Sequence, residues 1–231
     1  MRRSERLAAL GQLSAGLAHE LRNPLGTIKA SAEMLSRNVA SENEVSREVA
    51  GYISTEVDRC NSLVTRFLDF ARPLAVRLAS TDLAQVIDRS IEMVGREARD
   101  RDITIYRNYA PDIPPLPLDA ELMERVFFNV LQNAVQASAP GSSITVKTRA
   151  VEGMVETCVI DRGSGIDPKL IETIFNPFVT TKKDGVGLGL AIVSRIVDRH
   201  GGKMTVESQP GEGSVFYILL PVQAAEAVRA D

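Results

Sequence analysis

Leu7, Leu21, Ile28 and Leu35 fall on one seven-residue spacing, with Ser14 in the skipped position and Leu10 and Leu17 between them. Such spacing lays apolar side chains in one a/d stripe along a helix, and a stripe needs a partner surface to cover it. The polar run RNVASENEVS interrupts the pattern, and a second series follows at Val49, Ile53, Cys60, Leu63, Phe67 and Phe70. Two helices joined by a short polar loop make an antiparallel hairpin. A lone hairpin buries one stripe per helix, too little for a core of its own. Two copies packed as a four-helix bundle supply the missing cover. Residues 1–75 are therefore expected to be a dimerising helical hairpin, although a coiled-coil spacer satisfies the same pattern.

The period changes near Pro73, which ends the second helix. Over 76–223 helices and strands alternate. A helix over about 82–99, capped by Thr81 or Asp82, precedes the strand ITIYRNY. The prolines of PDIPPLPLD forbid helix until Asp119 caps the next one. ITVKTRA and VETCVID read as strands joined by a turn at Glu152 and Gly153. The helix LAIVSRIVDRH stops at Gly201 and Gly202, and KMTVES and SVFYILL form a hairpin across QPGEG. His200, in the last turn of its helix, reads as a structural residue whose positive charge the helix dipole favours. The order predicts an α+β sandwich, with helices on one face of a mixed sheet. Residues 224–231 read as a frayed tail.

A net charge of −3 argues against nucleic acid and against a basic membrane-surface protein. Cys60 and Cys158 form no metal-ligand pattern and no disulfide framework, which makes a reducing cytoplasm the default. No run reaches the roughly 18 apolar residues of a membrane span, and the basic start MRRSERLAAL leads into a periodic helix rather than a signal peptide.

AHELRNPLGTIKA combines features that an ordinary helix avoids. The seam turns His19 outward, where an imidazole with an ordinary pKa of about 6.5 is largely neutral near pH 7 and has a ring nitrogen free as a nucleophile. Pro24 crowds the carbonyl of Glu20, four residues earlier, and deprives it of its helical partner. The bend is centred beside the histidine. By itself this stretch reads as ordinary helix surface.

Three further pieces carry functional chemistry. In ELMERVFFNVLQNAVQAS, Met123, Phe127, Val130, Leu131 and Ala134 make a buried arc, and Asn129 and Asn133 sit one turn apart beside it. Their amide oxygens suit Mg²⁺, or simply a wet helix face. VIDRGSGID ends a strand at Asp161, and Gly163 and Gly165 flank Ser164. A buried ionised carboxylate there accepts the exocyclic amine of adenine; a tight turn without ligand is the alternative. In FNPFVTTKKDGVGLGLAIV, Phe175, Pro177 and Phe178 anchor a loop and Lys182 and Lys183 offer charge to phosphates. Gly185, Gly187 and Gly189 then run into a helix N-terminus, a phosphate-binding feature. The run is neither a dinucleotide fingerprint nor a P-loop.

In this order the pieces resemble a sensor histidine kinase of two-component signalling, over essentially residues 5–222. HELRNP is similar to that family's phosphoacceptor box and NVLQNAVQA to its asparagine box. DRGSGID, FNPF, GVGLGLA and GEGS resemble its first glycine, phenylalanine, second glycine and third glycine boxes. The wording is closest to the nitrogen-regulation and AtoS-like subgroup. The resemblance implies a dimeric phosphotransfer hairpin (1–75) followed by a GHKL ATP-binding domain (76–223). It implies that His19 receives the γ-phosphoryl group of ATP, with Glu20 as its base. Asn133 would ligate Mg²⁺, Asn129 would support the phosphates, and Asp161 would recognise adenine in a pocket shaped by Gly163 and Gly165. Lys182 and the glycines at 185, 187 and 189 would belong to a mobile lid. Asn23 matches the position that orients water for dephosphorylating the partner, a response regulator receiver domain. Many relatives carry Lys or Arg where this chain has Gln136; if that role exists here, Lys182 or Lys183 is expected to fill it. The abrupt first helix is expected of the cytosolic portion of a longer, membrane-bound sensor, with a small soluble kinase as the alternative. The competing functions are a non-catalytic, nucleotide-binding dimeric scaffold and a GHKL serine kinase.

Overall fold

The computed structural model describes residues 24–37, 44–71, 74–182 and 187–223. The chain divides into two compact units, Met1–Pro73 and Leu74–Asp231. His19, Glu20, Asn23 and Gly185 lie outside the described residues, as does the carbonyl of Glu20 on which the expected bend depends.

In the first unit, helix α1 covers 24–37 and helix α2 covers Glu44–Ala71. Lys29 of α1 pairs with Asp58 of α2 at 2.6 Å, which ties the two helices. The described side chains buried in this unit are small: Ala32, Ala50 and Val57. Ile28, Leu35, Val49 and Ile53, all seam positions, remain 37% to 47% exposed. The large residues thus form a surface stripe, while alanines permit close approach of neighbouring backbone.

The second unit runs β1 (Ala79–Thr81), α3 (Leu83–Asp100), β2 (Thr104–Asn108), β3 (Leu116–Leu118), α4 (Ala120–Ala137), β4 (Ser143–Val151), β5 (Met154–Asp161), α5 (Pro168–Ile171), α6 (Gly189–Arg199), β6 (Lys203–Gln209) and β7 (Gly213–Pro221). The main sheet has the order β2-β4-β5-β7-β6, with β2 parallel to β4 and every other pair antiparallel. β1 and β3 form a separate two-stranded ladder, Ala79 opposite Leu118. Three residues per strand, one of them Pro117, leave no alternation to read, so this ladder and the single-turn α5 were not expected from the sequence.

Local chemistry explains the boundaries. Asp82 caps α3, its Oδ1 accepting from the Ala84 backbone N–H at 2.9 Å, which decides between the two candidate caps. Asp119 caps α4 through the Leu122 N–H and also accepts from the Arg77 N–H. Glu152 and Gly153, both with positive φ, make the two-residue turn between β4 and β5. Apolar residues at helical spacing on α3, α4 and α6 pack on one face of the sheet, against Ile144, Val146, Val155, Val159, Phe216, Ile218 and Leu220. On β5 the buried row 155, 157, 159 continues to Asp161, so this carboxylate falls on the helix-facing side.

His200 is buried, and its Nε2 accepts the Asp119 backbone N–H at 3.0 Å while Nδ1 lies 2.8 Å from the Ile196 carbonyl. An acceptor nitrogen carries no proton. The residue is structural, as expected, but as a neutral link between α6 and the cap of α4 rather than a dipole-stabilised cation.

Candidate nucleotide site

The site is built on the last two turns of α4. Met123, Val126, Phe127, Val130, Leu131, Ala134 and Val135 are buried, which fixes the helix about its axis. Asn129 and Asn133 are left half-buried on an adjoining stripe with Gln136 exposed one turn further on. Asn129 donates from Nδ2 to the Arg125 carbonyl at 2.7 Å, which aims its oxygen away from its own helix. A Cβ on Gly189 would stand 3.2 Å from that oxygen, so glycine at the start of α6 allows the helix to approach Asn129.

The end of β5 reaches the same place. Asp161 is only 4% exposed. Its Oδ1 accepts from the backbone N–H groups of Gly163 at 2.8 Å and Ser214 at 3.2 Å. Burial pushes the carboxyl above the ordinary aspartate range, and the two N–H donors oppose that rise. Its other oxygen takes no hydrogen bond from the described residues. Gly163 bridges to Ser138 at the end of α4, and the Ser164 N–H donates to the Ala137 carbonyl at 3.1 Å. Gly165 has φ +67°, and a Cβ there would lie 2.0 Å from the Gln209 carbonyl; any other residue would collide. The Gly211 N–H donates to the Ser164 carbonyl at 2.8 Å, so the GEGS turn closes over the DRGSG loop.

The third piece arrives from the loop before α6. The Phe178 N–H donates to the Gly187 carbonyl at 2.9 Å, which closes the base of the loop. Gly187 adopts φ +69° with no room for a Cβ against Phe178 and Val179. Phe178 itself is 60% exposed, and its backbone N–H makes this contact. Lys182 Nζ donates to Asn133 Oδ1 at 2.7 Å and to Gln136 Oε1 at 2.5 Å. Partial burial lowers the lysine pKa, and Glu97 on α3 opposes that shift. Leu188 stands at the N-cap of α6 and gives no side-chain cap, so no cap side chain takes the first N–H groups of that helix.

Asn129, Asn133, Asp161, Gly163, Gly165, Lys182, Gly187 and Gly189 thus lie on three segments held together by short contacts. The sequence reading left Gln136, which holds the lysine, and Ser214, which holds Asp161, without these roles. The GEGS pattern was a signal for Ser214, and the glutamine at a position where many relatives are basic was the signal for Gln136. The arrangement suits a nucleotide. A buried acceptor stands at the end of β5, a cation and amide oxygens lie along α4, and α6 begins without a side-chain cap. Asn133 Oδ1 already accepts a cation in the form of the lysine ammonium, a fit for Mg²⁺. No group of three His, Cys, Asp or Glu suited to a metal occurs among the described residues. An ion here would therefore rely on one protein oxygen together with phosphate and water.

The fold and site define an ATP-binding domain, and residues 118–224 match the family model described as histidine kinase-, DNA gyrase B-, and HSP90-like ATPase. Residues 9–75 match the His Kinase A (phospho-acceptor) domain. The chain belongs to the sensor histidine kinase family. It is 37% identical to sensor histidine kinase ZraS of Klebsiella oxytoca over 97% of this chain and 48% of that protein. It is 34% identical to sensory histidine kinase/phosphatase NtrB of Salmonella typhimurium, over 93% of this chain and 63% of that one. Among solved structures, histidine kinase ThkA in complex with response regulator protein TrrA superposes with TM-score 0.69 at 26% identity, covering 96% of this chain and 64% of that one. The chain spans about half the length of ZraS. Among the described residues no helix is long and apolar enough to cross a membrane.

Proposed function

We propose that this chain transfers the γ-phosphoryl group of ATP to His19, hands it to an aspartate of a response regulator receiver domain, and also supports dephosphorylation of that regulator. The observation that carries the proposal is the pairing, on one end of α4, of the buried Asp161 acceptor with the cation-holding oxygen of Asn133. Adenine would donate its exocyclic amine to Asp161 in the pocket of Gly163 and Gly165. Asn129, Lys182 and the glycines at 185, 187 and 189, with the start of α6, would hold the phosphates.

Transfer of this kind is chiefly positioning and charge stabilisation. A bound Mg²⁺ would neutralise charge on the β- and γ-phosphates, held at Asn133. His19 would attack the γ-phosphorus through a ring nitrogen as Glu20 takes the ring proton. The bond to the β–γ bridging oxygen breaks, and ADP leaves with the electron pair. A receiver carboxylate would then attack the same phosphorus, the P–N bond breaking and histidine regaining a proton. Asn23 would orient the water that cleaves the resulting acyl phosphate to aspartate and inorganic phosphate. The exposed stripe of Ile28, Leu35, Val49 and Ile53 supports a homodimer through the hairpin. The absence of a spanning helix among the described residues fits a cytosolic portion of a sensor.

The test is incubation with Mg²⁺ and γ-labelled ATP, with His19→Ala alongside. Label lost in acid, kept in alkali and absent from the variant is the expected result. Acid-stable label would instead indicate serine chemistry, and nucleotide binding without label a scaffold.

A further inference from the structure

The two oxygens that receive the Lys182 ammonium come from one turn of α4, whereas the lysine comes from a loop 46 and 49 residues further along. Gln136 is oriented from its other side: Nε2 lies 3.5 Å from Glu97 Oε1 on α3. A carboxylate accepts only, so it draws the amide's NH₂ toward α3 and leaves the amide oxygen facing the loop. Glutamine brings no charge to the site; its oxygen can only hold one.

We propose that Gln136 is a positioning residue, seating the Lys182 ammonium beside Asn133 so that the loop lysine supplies the positive charge facing the terminal phosphate of the nucleotide. This rests on the nucleotide reading above. An ammonium has three N–H donors, two of which are directed to Asn133 and Gln136 in this structure. When a metal ion takes Asn133 Oδ1, the lysine must leave that oxygen. The Gln136 contact then keeps the ammonium in place and turns two donors toward the phosphates. Without the seat, a long flexible side chain samples many positions and the charge is diluted in solvent. The lysine would thus act on the phosphate that ATP has and ADP lacks, and Gln136 would act only through the lysine.

The experiment measures dissociation constants for ATP and ADP on the full chain by calorimetry, in Mg²⁺ and in EDTA, together with the rate of His19 labelling. The chains compared are wild type, Lys182→Ala, Gln136→Ala, the double alanine variant and Gln136→Lys in the Lys182→Ala background. Unchanged melting midpoints establish that each variant is folded. Lys182→Ala is expected to weaken ATP roughly tenfold and ADP little. Gln136→Ala should cause most of the same loss of ATP preference, with no further loss in the double variant. Moving the charge onto α4 in Gln136→Lys/Lys182→Ala should recover ATP preference, which a merely structural role would not allow. Equal ATP:ADP ratios for wild type and Gln136→Ala, additive losses in the double variant, or failure of the relocated charge to rescue would each overturn the seat. Wild-type chain that binds ATP and forms phosphohistidine would leave the nucleotide reading standing in those cases. Wild-type chain that binds no ATP would remove both.

Discussion

The two units bury their apolar side chains in opposite ways. In the second, Phe127, Leu131, Ile144, Ile218 and Leu220 are wholly enclosed between three helices and a five-stranded sheet. Complete burial of a side chain of this size contributes about 1.5–3 kcal/mol, so this unit closes its own core. In the first, the described buried positions are Ala32, Ala50 and Val57, and the larger Ile28, Leu35, Val49 and Ile53 face outward. Among the described residues of that unit, these larger apolar groups are available to the second copy proposed above. The difference teaches how the labour is divided. The proposed nucleotide site is assembled within one unit, from α4, the end of β5 and the start of α6. The phosphoacceptor proposed at His19 belongs to the unit that needs a partner. Damage to either should therefore leave the other's property intact.

The largest expected effect is on the nucleotide side. Asp161→Asn keeps an acceptor for the Gly163 and Ser214 N–H groups but turns an NH₂ toward adenine. ATP affinity should fall about 10- to 100-fold, the worth of a charge-assisted hydrogen bond, while sedimentation shows an unaltered dimer. On the hairpin side, Ile53→Glu places a charge in the proposed helix bundle. The dimer dissociation constant should rise about tenfold or more with the ATP dissociation constant unchanged; loss of both together would break the comparison. A pH series sharpens it. Because burial raises the Asp161 carboxyl, the folded free chain binds that proton more tightly than the unfolded chain. This group's unfavourable contribution to stability is relieved as pH falls through its raised pKa. Nucleotide binding runs the other way. Affinity should drop over that same range, at higher pH than for an ordinary aspartate, and Asp161→Asn should lack the acid limb. The smallest effect belongs to Lys29→Met on α1. Its pair with Asp58 is exposed and screened, so the melting midpoint should stay within error of wild type.

Local rules made much of the second unit legible. Asp82 and Asp119 announced their helices because a short acidic side chain satisfies the first N–H groups of the helix that follows. The Glu152–Gly153 turn and the strands beside it followed from alternation. Asp161 stood out because a carboxylate ended a β-rich run just before the glycines at 163 and 165. What escaped was set by contacts distant in sequence. β1 and β3 are too short to carry a period, and their pairing joins residues 35 to 39 positions apart. His200 is neutral because the N–H of Asp119, 81 positions away, selects an acceptor nitrogen. Phe178 joins Gly187, nine positions away, through its backbone N–H, a contact that no local pattern announces. Gln136 stood out only as a departure from relatives, and its hold on Lys182 joins residues 46 positions apart.

A nucleotide held at Asp161 and Asn133 is the proposed source of a phosphoryl group on His19. This assignment is tested most directly by fragment mass spectrometry on the full chain after brief exposure to Mg²⁺ and ATP, comparing wild type with Asp161→Asn at equal dimer concentration under alkaline handling. The prediction is phosphate on His19 in the wild type and little or none in the variant. Equal phosphate on His19 in both chains, or phosphate carried only at another residue, would contradict it.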